Sequence, residues 1–474
     1  MKRRKFVKNS VLAASAFSIV PASVIGKPGR RAPSDKLNIA MVGSGGRGEA
    51  LWGAVNKSGL GNIVALVDVD SQRAANAYKS NPKAKRFKDY RKLEEIQDEF
   101  DAFMVATPDN THAVIGMALM DLGKHAYIEK PLAHDIYEVR MLTEKAAEKN
   151  LVTQMGNHGS SGEGIRQICE WIWGDVIGDV TEVFCWTNRP VWPQGKPAPK
   201  GAKAIPDSLD WNLWLGPAQY THYSPEYSHF KWRGWWDFGT GALGDMGCHI
   251  VDPAFKALKL GYPTEVVSSN TTTWVGDFVE ADYSKSCPPS SITQLKFPAR
   301  EGMPAVKMHW HDGGLMPSFP EGIDADTKIG NWDGGVLFVG SKGMLSAGCY
   351  GVDPVLHFPN NNKPSSLPKP YLKRVENGTE GHQAQWVKAC MEGGETSSPF
   401  SYAGPLSETV LMGNLGIRSY QLKQLQEGKT PTSWAPYDYP GRKKLLWDGK
   451  NMKVTNFDPA NAFVKRNYRD GWSL

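Results

Sequence analysis

Leu37-Asn-Ile-Ala-Met-Val42, followed by Gly43-Ser-Gly45-Gly46-Arg47-Gly48 and the helix-like stretch 49–57, is the passage on which the reading of this chain turns. A short apolar run of strand length leads directly into a G-x-G-x-x-G turn, and a helix begins at once. A diphosphate requires this order: free N–H groups at a helix N-terminus receive its charge, and glycines leave the backbone open to its approach. A second apolar run, 63–67, ends at Asp68, where an acid accepts hydrogen bonds from the adenosine ribose and repels a 2′-phosphate. NAD is therefore expected rather than NADP, although Arg73 stands close enough in sequence to offer a phosphate partner. Gly239-Thr-Gly241-Ala-Leu-Gly244 repeats the glycine pattern, but no buried strand precedes it and no acid-terminated strand follows. It is not a nucleotide turn.

Strand-like runs at 102–106, 125–128 and 151–155 alternate with helix-like stretches at 111–122 and 136–149. Such alternation means a parallel sheet, so an α/β, Rossmann-type dinucleotide-binding domain is expected over residues 36–158. In parallel sheets the ligand lies beyond the carboxyl ends of the strands. The expected cofactor contacts are Gly43, Gly45, Gly46, Arg47, Gly48, Asp68, Thr107, Pro108, Asn110, His112, Glu129 and Lys130, with Asn157 and His158 at the next strand tip facing substrate.

At 474 residues the chain exceeds one ordinary core, so two domains plus extensions are expected. A net charge of +6 with no basic run beyond the first residues excludes a nucleic-acid partner. The six cysteines stand far apart without a C-x-x-C pair, and they read as buried free thiols. The chain opens MKRRKFVKNSVLAASAFSIVPASVIG: basic residues, about ten mostly apolar ones, then small residues. The run is too short to span a bilayer. Arg3 and Arg4, with Phe6 and Lys8, resemble a twin-arginine export signal over residues 1–26, cleaved after Ala22 or Gly26, so a periplasmic location is expected.

Glu129-Lys130-Pro131 at a strand end, downstream of this glycine turn, resembles the signature of the glucose-fructose oxidoreductase, inositol dehydrogenase and rhizopine-catabolism (Gfo/Idh/MocA) family. The block Gly239-Thr-Gly-Ala-Leu-Gly-Asp245-Met-Gly-Cys-His249 resembles that family's segment in which an aspartate and a histidine four residues apart complete the active site. The spacing has its own logic, because i and i+4 on a helix project from one face. Oxidising an alcohol needs a proton acceptor, and histidine, with a pKa near ~6.5, suits that role. His249 is the expected base, Lys130 the donor to the developing alkoxide, and Asp245 the group that orients substrate or imidazole.

Seventeen tryptophans are unusual, and many fall between Trp186 and Trp236. Flat rings suit sugar faces, so Trp192, Trp235 and Trp236, with Asn188 and Arg189 as polar neighbours, are expected at the substrate; the alternative is a long excursion packed by its own aromatics. His309-Trp-His311 offers two imidazoles on one strand face but no third ligand, and no metal is expected.

Beyond residue 158 an α+β domain is expected to residue 430, with strands at 180–187, 291–297, 305–311, 336–339 and 344–347 in an open, mostly antiparallel sheet. A helix over 407–426 and a C-terminal tail over 431–474 complete the outline. The resemblance implies that the open sheet face serves a homo-oligomer, a dimer or tetramer. Three functions fit: an NAD(P)-dependent oxidoreductase acting on a CH–OH group of a sugar, polyol or glycoside; an NAD-dependent glycoside hydrolase or lyase working through a transient keto-sugar; or a non-catalytic sugar or nucleotide binder. An exported enzyme without a nicotinamide pool would have to keep the cofactor it folded around, with the second domain or a neighbouring subunit's tail closing over the adenosine end.

Overall fold

The computed structural model describes residues 35–324, 326–359 and 363–474; the expected export signal lies outside them. The first sheet contains β1 (Leu37–Val42), β2 (Gly61–Val67), β3 (Lys85–Phe87), β4 (Ala102–Val105), β5 (His125–Ile128) and β6 (Thr153–Met155). All pairings are parallel, in the order β3-β2-β1-β4-β5-β6. This is the doubly wound order, whose switch point between β1 and β4 opens a crevice at the strands' carboxyl ends. The short, mostly polar β3 has no apolar pattern and was not expected.

The second sheet adds β7 (Val180–Thr187), β8 (Glu265–Asn270), β11 (Ser291–Phe297), β12 (Val306–His311), β13 (Gly334–Gly340), β14 (Met344–Gly348) and β15 (Val355–His357), with β9 and β10 a small hairpin at Trp274–Gly276 and Val279–Glu280. Its order is β15-β14-β13-β7-β12-β11-β8-β16-β17, where β16 (Leu445–Asp448) and β17 (Lys453–Val454) come from the tail. Only β7 and β12 pair in parallel; the remaining pairs are antiparallel. The expectation of 431–474 as a mere extension therefore misses two sheet strands.

The helix Phe400–Tyr420 lies between the sheets, begins seven residues before the expected start and ends six before the expected end. Pro405 sits in its second turn, where it forfeits a single hydrogen bond. Because the helix is buried on nearly all sides, it carries little amphipathic signal. The helix His382–Glu392 sends Trp386 and Val387 into the core under β1, so the first domain borrows a helix from far along the chain. All six cysteines are free, five of them buried. Among the described residues no helix is long and apolar enough to cross a membrane.

The tail is fastened to the first domain by Arg466, whose guanidinium meets Glu138 at 2.8 Å and Asp135 at 3.6 Å, while Tyr468 donates to Glu138 at 2.9 Å. Glu138 and Asp135 are buried side by side, so removing the cation leaves two acids facing each other out of water. Arg466→Ala should destabilise the fold by about 3–5 kcal/mol. Denaturant unfolding measures this, and a loss under about 1 kcal/mol would mean that Arg466 does not hold the tail.

Candidate functional site

A cleft of about 510 Å³ runs along the carboxyl edge of the first sheet and is walled on its far side by the second domain. Gly43 has φ +81°, and a Cβ there would meet the carbonyl carbon of Ala106 at 2.7 Å; Gly48, expected at the cofactor, lies off the cleft wall, where a Cβ would strike the Gly43 carbonyl oxygen. A Cβ on Gly45 would come within 2.5 Å of Arg73 Cγ, and Gly46 faces the Arg73 guanidinium. The turn is thus a cradle without side chains, with a cation above it. Asp68 is buried; its Oδ2 accepts from Ser44 N at 2.8 Å and Gly45 N at 3.1 Å, and its Oδ1 from Asp70 N at 3.0 Å. A carboxylate has about four acceptor positions, so about one is left for a ribose hydroxyl. Gly45→Val should abolish nucleotide binding, checked by nucleotide release from denatured protein alongside the melting temperature. A folded variant that retained nucleotide would move the site elsewhere.

Thr107, Pro108, His112, Glu129 and Lys130 all line the cleft with the glycine turn. His112 bridges Thr107 O at 3.0 Å and Pro131 O at 2.9 Å, tying two strand ends together. Arg47 donates to Glu129 at 2.8 Å. Asn110 does not reach the cleft: it is fully buried and donates to Leu215 O at 2.9 Å.

Past the glycine turn, Lys130 Nζ donates to Asp245 Oδ1 at 2.9 Å and also to the Asp245 carbonyl. Asp245 and His249 both lie on the helix Gly241–Ile250, one turn apart. Glycines let that helix sit close to its neighbours, since a Cβ on Gly247 would meet Val410 at 2.9 Å and one on Gly244 would strike Thr240. Thr240 donates to Asp109 at 2.6 Å and its carbonyl accepts from Asn414 at 2.7 Å, which pins the helix start. The second glycine motif is thus a packing device at the head of the active helix.

Burial alone would raise the Asp245 carboxyl, but Lys130 and Arg233 outweigh it and hold it below the usual range. Burial, then Lys130 and the neighbouring His158, hold His249 well below the ordinary histidine value. Its imidazole is neutral at neutral pH and can take a proton. The Nδ1 atoms of His249 and His158 have no hydrogen-bond partner among the described residues. Tyr350, which sequence reading missed, packs its ring 4.7 Å from that of His249 and 4.9 Å from that of His158. It holds φ +69°, unusual for a side chain of this size, and Gly159 leaves room for its backbone.

Of the expected substrate residues, His158 and Arg189 line the cleft. Asn157 does not; it is fully buried and donates to Asp252 at 3.0 Å. Asn188 also lies off the cleft wall, bonded to Arg189. Trp192, Trp235 and Trp236 are each buried at 5% exposure or less and do not line it. Trp235 instead joins Trp211, Trp214, Tyr227, Trp232 and Phe238 in a cluster of their own, Trp211 and Trp214 stacking at 4.6 Å. The excursion therefore folds around its own rings, and it is Trp214, Phe230 and Trp232 that reach the cleft. Of the two histidines at metal spacing, His309 bonds Glu182 at 2.7 Å and stacks on Phe184.

The end of the cleft at Asp68 is walled by parts of this same chain. Leu213, His229 and Phe230 from the excursion and Trp472 from the tail share the cleft wall with Asp68, Arg73 and Tyr90. His229 meets Asp70 at 2.9 Å, and Trp472 packs near Tyr90 and Arg91.

Comparison with known proteins matches this division. Residues 37–157 match the oxidoreductase family's NAD-binding Rossmann fold, and residues 175–267 match the same family's C-terminal alpha/beta domain. The chain is 30% identical over 184 residues to a glycosyl hydrolase family 109 protein 1 of Shewanella sp. (strain MR-4), covering 36% of this chain and 40% of that one. It is 24% identical over 251 residues to the levoglucosan dehydrogenase of Pseudarthrobacter phenanthrenivorans, covering 50% and 55% respectively. The chain thus spans about half the length of these curated relatives. A solved levoglucosan dehydrogenase, in complex with NADH and levoglucosan, superposes with a TM-score of 0.54 at 17% identity, covering 82% of this chain and 98% of that one. Matched in its nucleotide-binding half and again in its sheet domain by models of one family, the chain belongs to the Gfo/Idh/MocA oxidoreductases.

Proposed function

We propose that this protein is an NAD-dependent oxidoreductase acting on a CH–OH group of a sugar, polyol or glycoside. The observation that carries the reading is one cleft holding both the glycine cradle with Asp68 and, further along, Lys130 bonded to Asp245 with His249 one helical turn away. Gly43, Gly45, Gly46, Arg73 and Asp68 would hold the dinucleotide, which when bound supplies the hydride acceptor. Asp68 favours NAD over NADP, because a carboxylate repels a 2′-phosphate. His249, neutral and buried, accepts the hydroxyl proton. Lys130 donates to the same oxygen as negative charge develops there, and Asp245 fixes the Lys130 ammonium in direction.

One observation favours a second reading. The cleft is walled at its adenosine end by this chain's own excursion and tail, as expected of a cofactor that stays bound through turnover. A retained cofactor must be regenerated in place, which suits redox-neutral glycoside cleavage through a keto-sugar or coupled oxidation and reduction of two sugars. The family 109 relative, a glycosyl hydrolase by name, supports keeping this reading. Export through the twin-arginine-type leader and assembly into a homo-oligomer belong to the same proposal, checked by cell fractionation and by light scattering.

The deciding experiment is mass analysis of nucleotide released from the denatured protein, followed by assay on neutral and acidic sugars and glycosides with and without added NAD. Product formed with NADH in proportion supports the dehydrogenase. Cleavage without net NADH supports the second reading, and no turnover of any sugar overturns both.

A further inference from the structure

Resting on the sugar-oxidising reading, the arginines of the cleft narrow the substrate. Four cations, Arg47, Lys130, Arg189 and Arg233, line the hydride end of the cleft together with three carboxylates, Glu129, Asp245 and Asp109; Asp109 is buried, accepts from Thr240 at 2.6 Å and makes no ion pair with any of the four. Arg47 is matched by Glu129 at 2.8 Å. Asp245 must serve two cations at once, Lys130 at 2.9 Å and Arg233 at 3.3 Å. Arg189 finds its partner, Asp333, outside the cleft wall at 2.8 Å. Lys130 and Arg233 therefore share one carboxylate.

Arg233 is built into place. Its guanidinium lies 4.3 Å from the Trp232 ring, 4.8 Å from Phe230 and 5.8 Å from Trp192. Its Nε faces Asp245 and its Nη1 donates to Phe230 O at 3.2 Å, while Nη2 has no bond to any described residue. Arg189 lies over the Trp332 ring at 5.3 Å and spends its Nη atoms on Asn188 and Asp333, leaving Nε unbonded. Both guanidinium groups therefore keep a donor in hand, and aromatic packing holds each in one orientation. Tyr350, against His249, lines the same cleft as both arginines. A guanidinium held in place with unused donors is the group that recognises an anionic oxygen pair.

We infer that Arg233 and Arg189 form an anion-recognising end of the substrate cleft, and that the preferred substrate is a sugar or glycoside bearing an acidic group, a carboxylate or a phosphate. The test is kcat/KM on matched sets of neutral sugar, its uronate and its 6-phosphate, for wild type, Arg233→Gln and Arg189→Gln. The ratio of acidic to neutral substrate is the readout, because any common effect of Arg233 on Asp245 cancels in it. Wild type should favour one acidic form by about 10- to 100-fold, the range of a charged hydrogen bond, and each variant should bring the ratio toward unity. Whether uronate or phosphate shows the preference identifies the acid. Binding gives a second readout: titration of the protein as purified with each sugar, followed by tryptophan fluorescence from the rings around Arg233, should show the same preference and its loss. Turnover of neutral sugars with no acidic preference, or a ratio unchanged in both variants, overturns this inference and leaves the sugar oxidoreductase standing. No turnover of any sugar overturns the function on which it rests.

Discussion

Lys130→Met and His249→Asn will each lower kcat by at least about 10²-fold while the protein keeps its dinucleotide. Both side chains lie beyond the glycine turn, on the helix Gly241–Ile250 and at the end of β5, so neither holds the diphosphate. Removing Lys130 takes away the donor to the alkoxide and leaves Asp245 with Arg233 alone, at 3.3 Å. Removing the imidazole takes away the proton acceptor, and asparagine cannot replace it near neutral pH. Nucleotide content measured beside kcat separates the two roles. Near-normal turnover in either variant would strike that residue from the mechanism.

The pH profile follows from the same imidazole. A base works in its neutral form, which predominates above its pKa. Since burial and the Lys130 charge place His249 well below 6.5, the acid limb of kcat/KM should lie below pH 6.5. Lys130→Met removes one depressing charge, so in its residual activity the limb should move upward. A wild-type limb at or above pH 7 would assign the proton acceptor to another group.

The parts of this protein that could be read in sequence are those whose function is local. The glycine turn, Asp68 at a strand end and the i, i+4 pair of Asp245 and His249 each do their work within a few residues of chain, and spacing reports them. Tyr350, Arg233 and Trp472 reach the same cleft from a strand-end turn, an aromatic excursion and the tail, and no local pattern marks them. Composition could say that the excursion is rich in rings but not which ones turn outward: Trp235 and Trp236 are buried, while Trp232 and Trp214 form cleft wall. Asn110 and Asn157 sit where strand-tip residues belong, yet both spend their amides on structural bonds to Leu215 and Asp252. The Phe400–Tyr420 helix escaped correct bounds for the opposite reason, since a helix buried all round has no polar face to define its ends.

Trp472→Ala and His229→Ala should each speed nucleotide release by about 10-fold or more, the effect of opening one side of an otherwise enclosed ligand. For the cofactor to stay through hours of work, dissociation must be near ~10⁻⁴ s⁻¹. With association at roughly 10⁶ M⁻¹s⁻¹ that means a Kd of about 10⁻¹⁰ M, some 13–14 kcal/mol of binding. A glycine turn and one aspartate are common to many dinucleotide sites that exchange freely, so the remainder must come from what covers them. Here the cover is this chain's own: His229 fixed to Asp70 at 2.9 Å, and Trp472 held by Arg91 and Arg469 at 5.1 Å and 5.8 Å. Arg469 is in turn bonded to Gly216 O at 3.0 Å and Asn212, so excursion and tail clasp each other over the cleft. Of the two alternatives expected from sequence, the second domain or a neighbouring subunit's tail, the second domain's excursion lines this wall, and this chain's own tail joins it. Release followed after dilution into a nucleotide trap reads the rate directly, and saturating NAD should restore turnover in both variants. Wild-type protein that is purified empty and works only on millimolar NAD would show that this clasp serves substrate or stability and not retention.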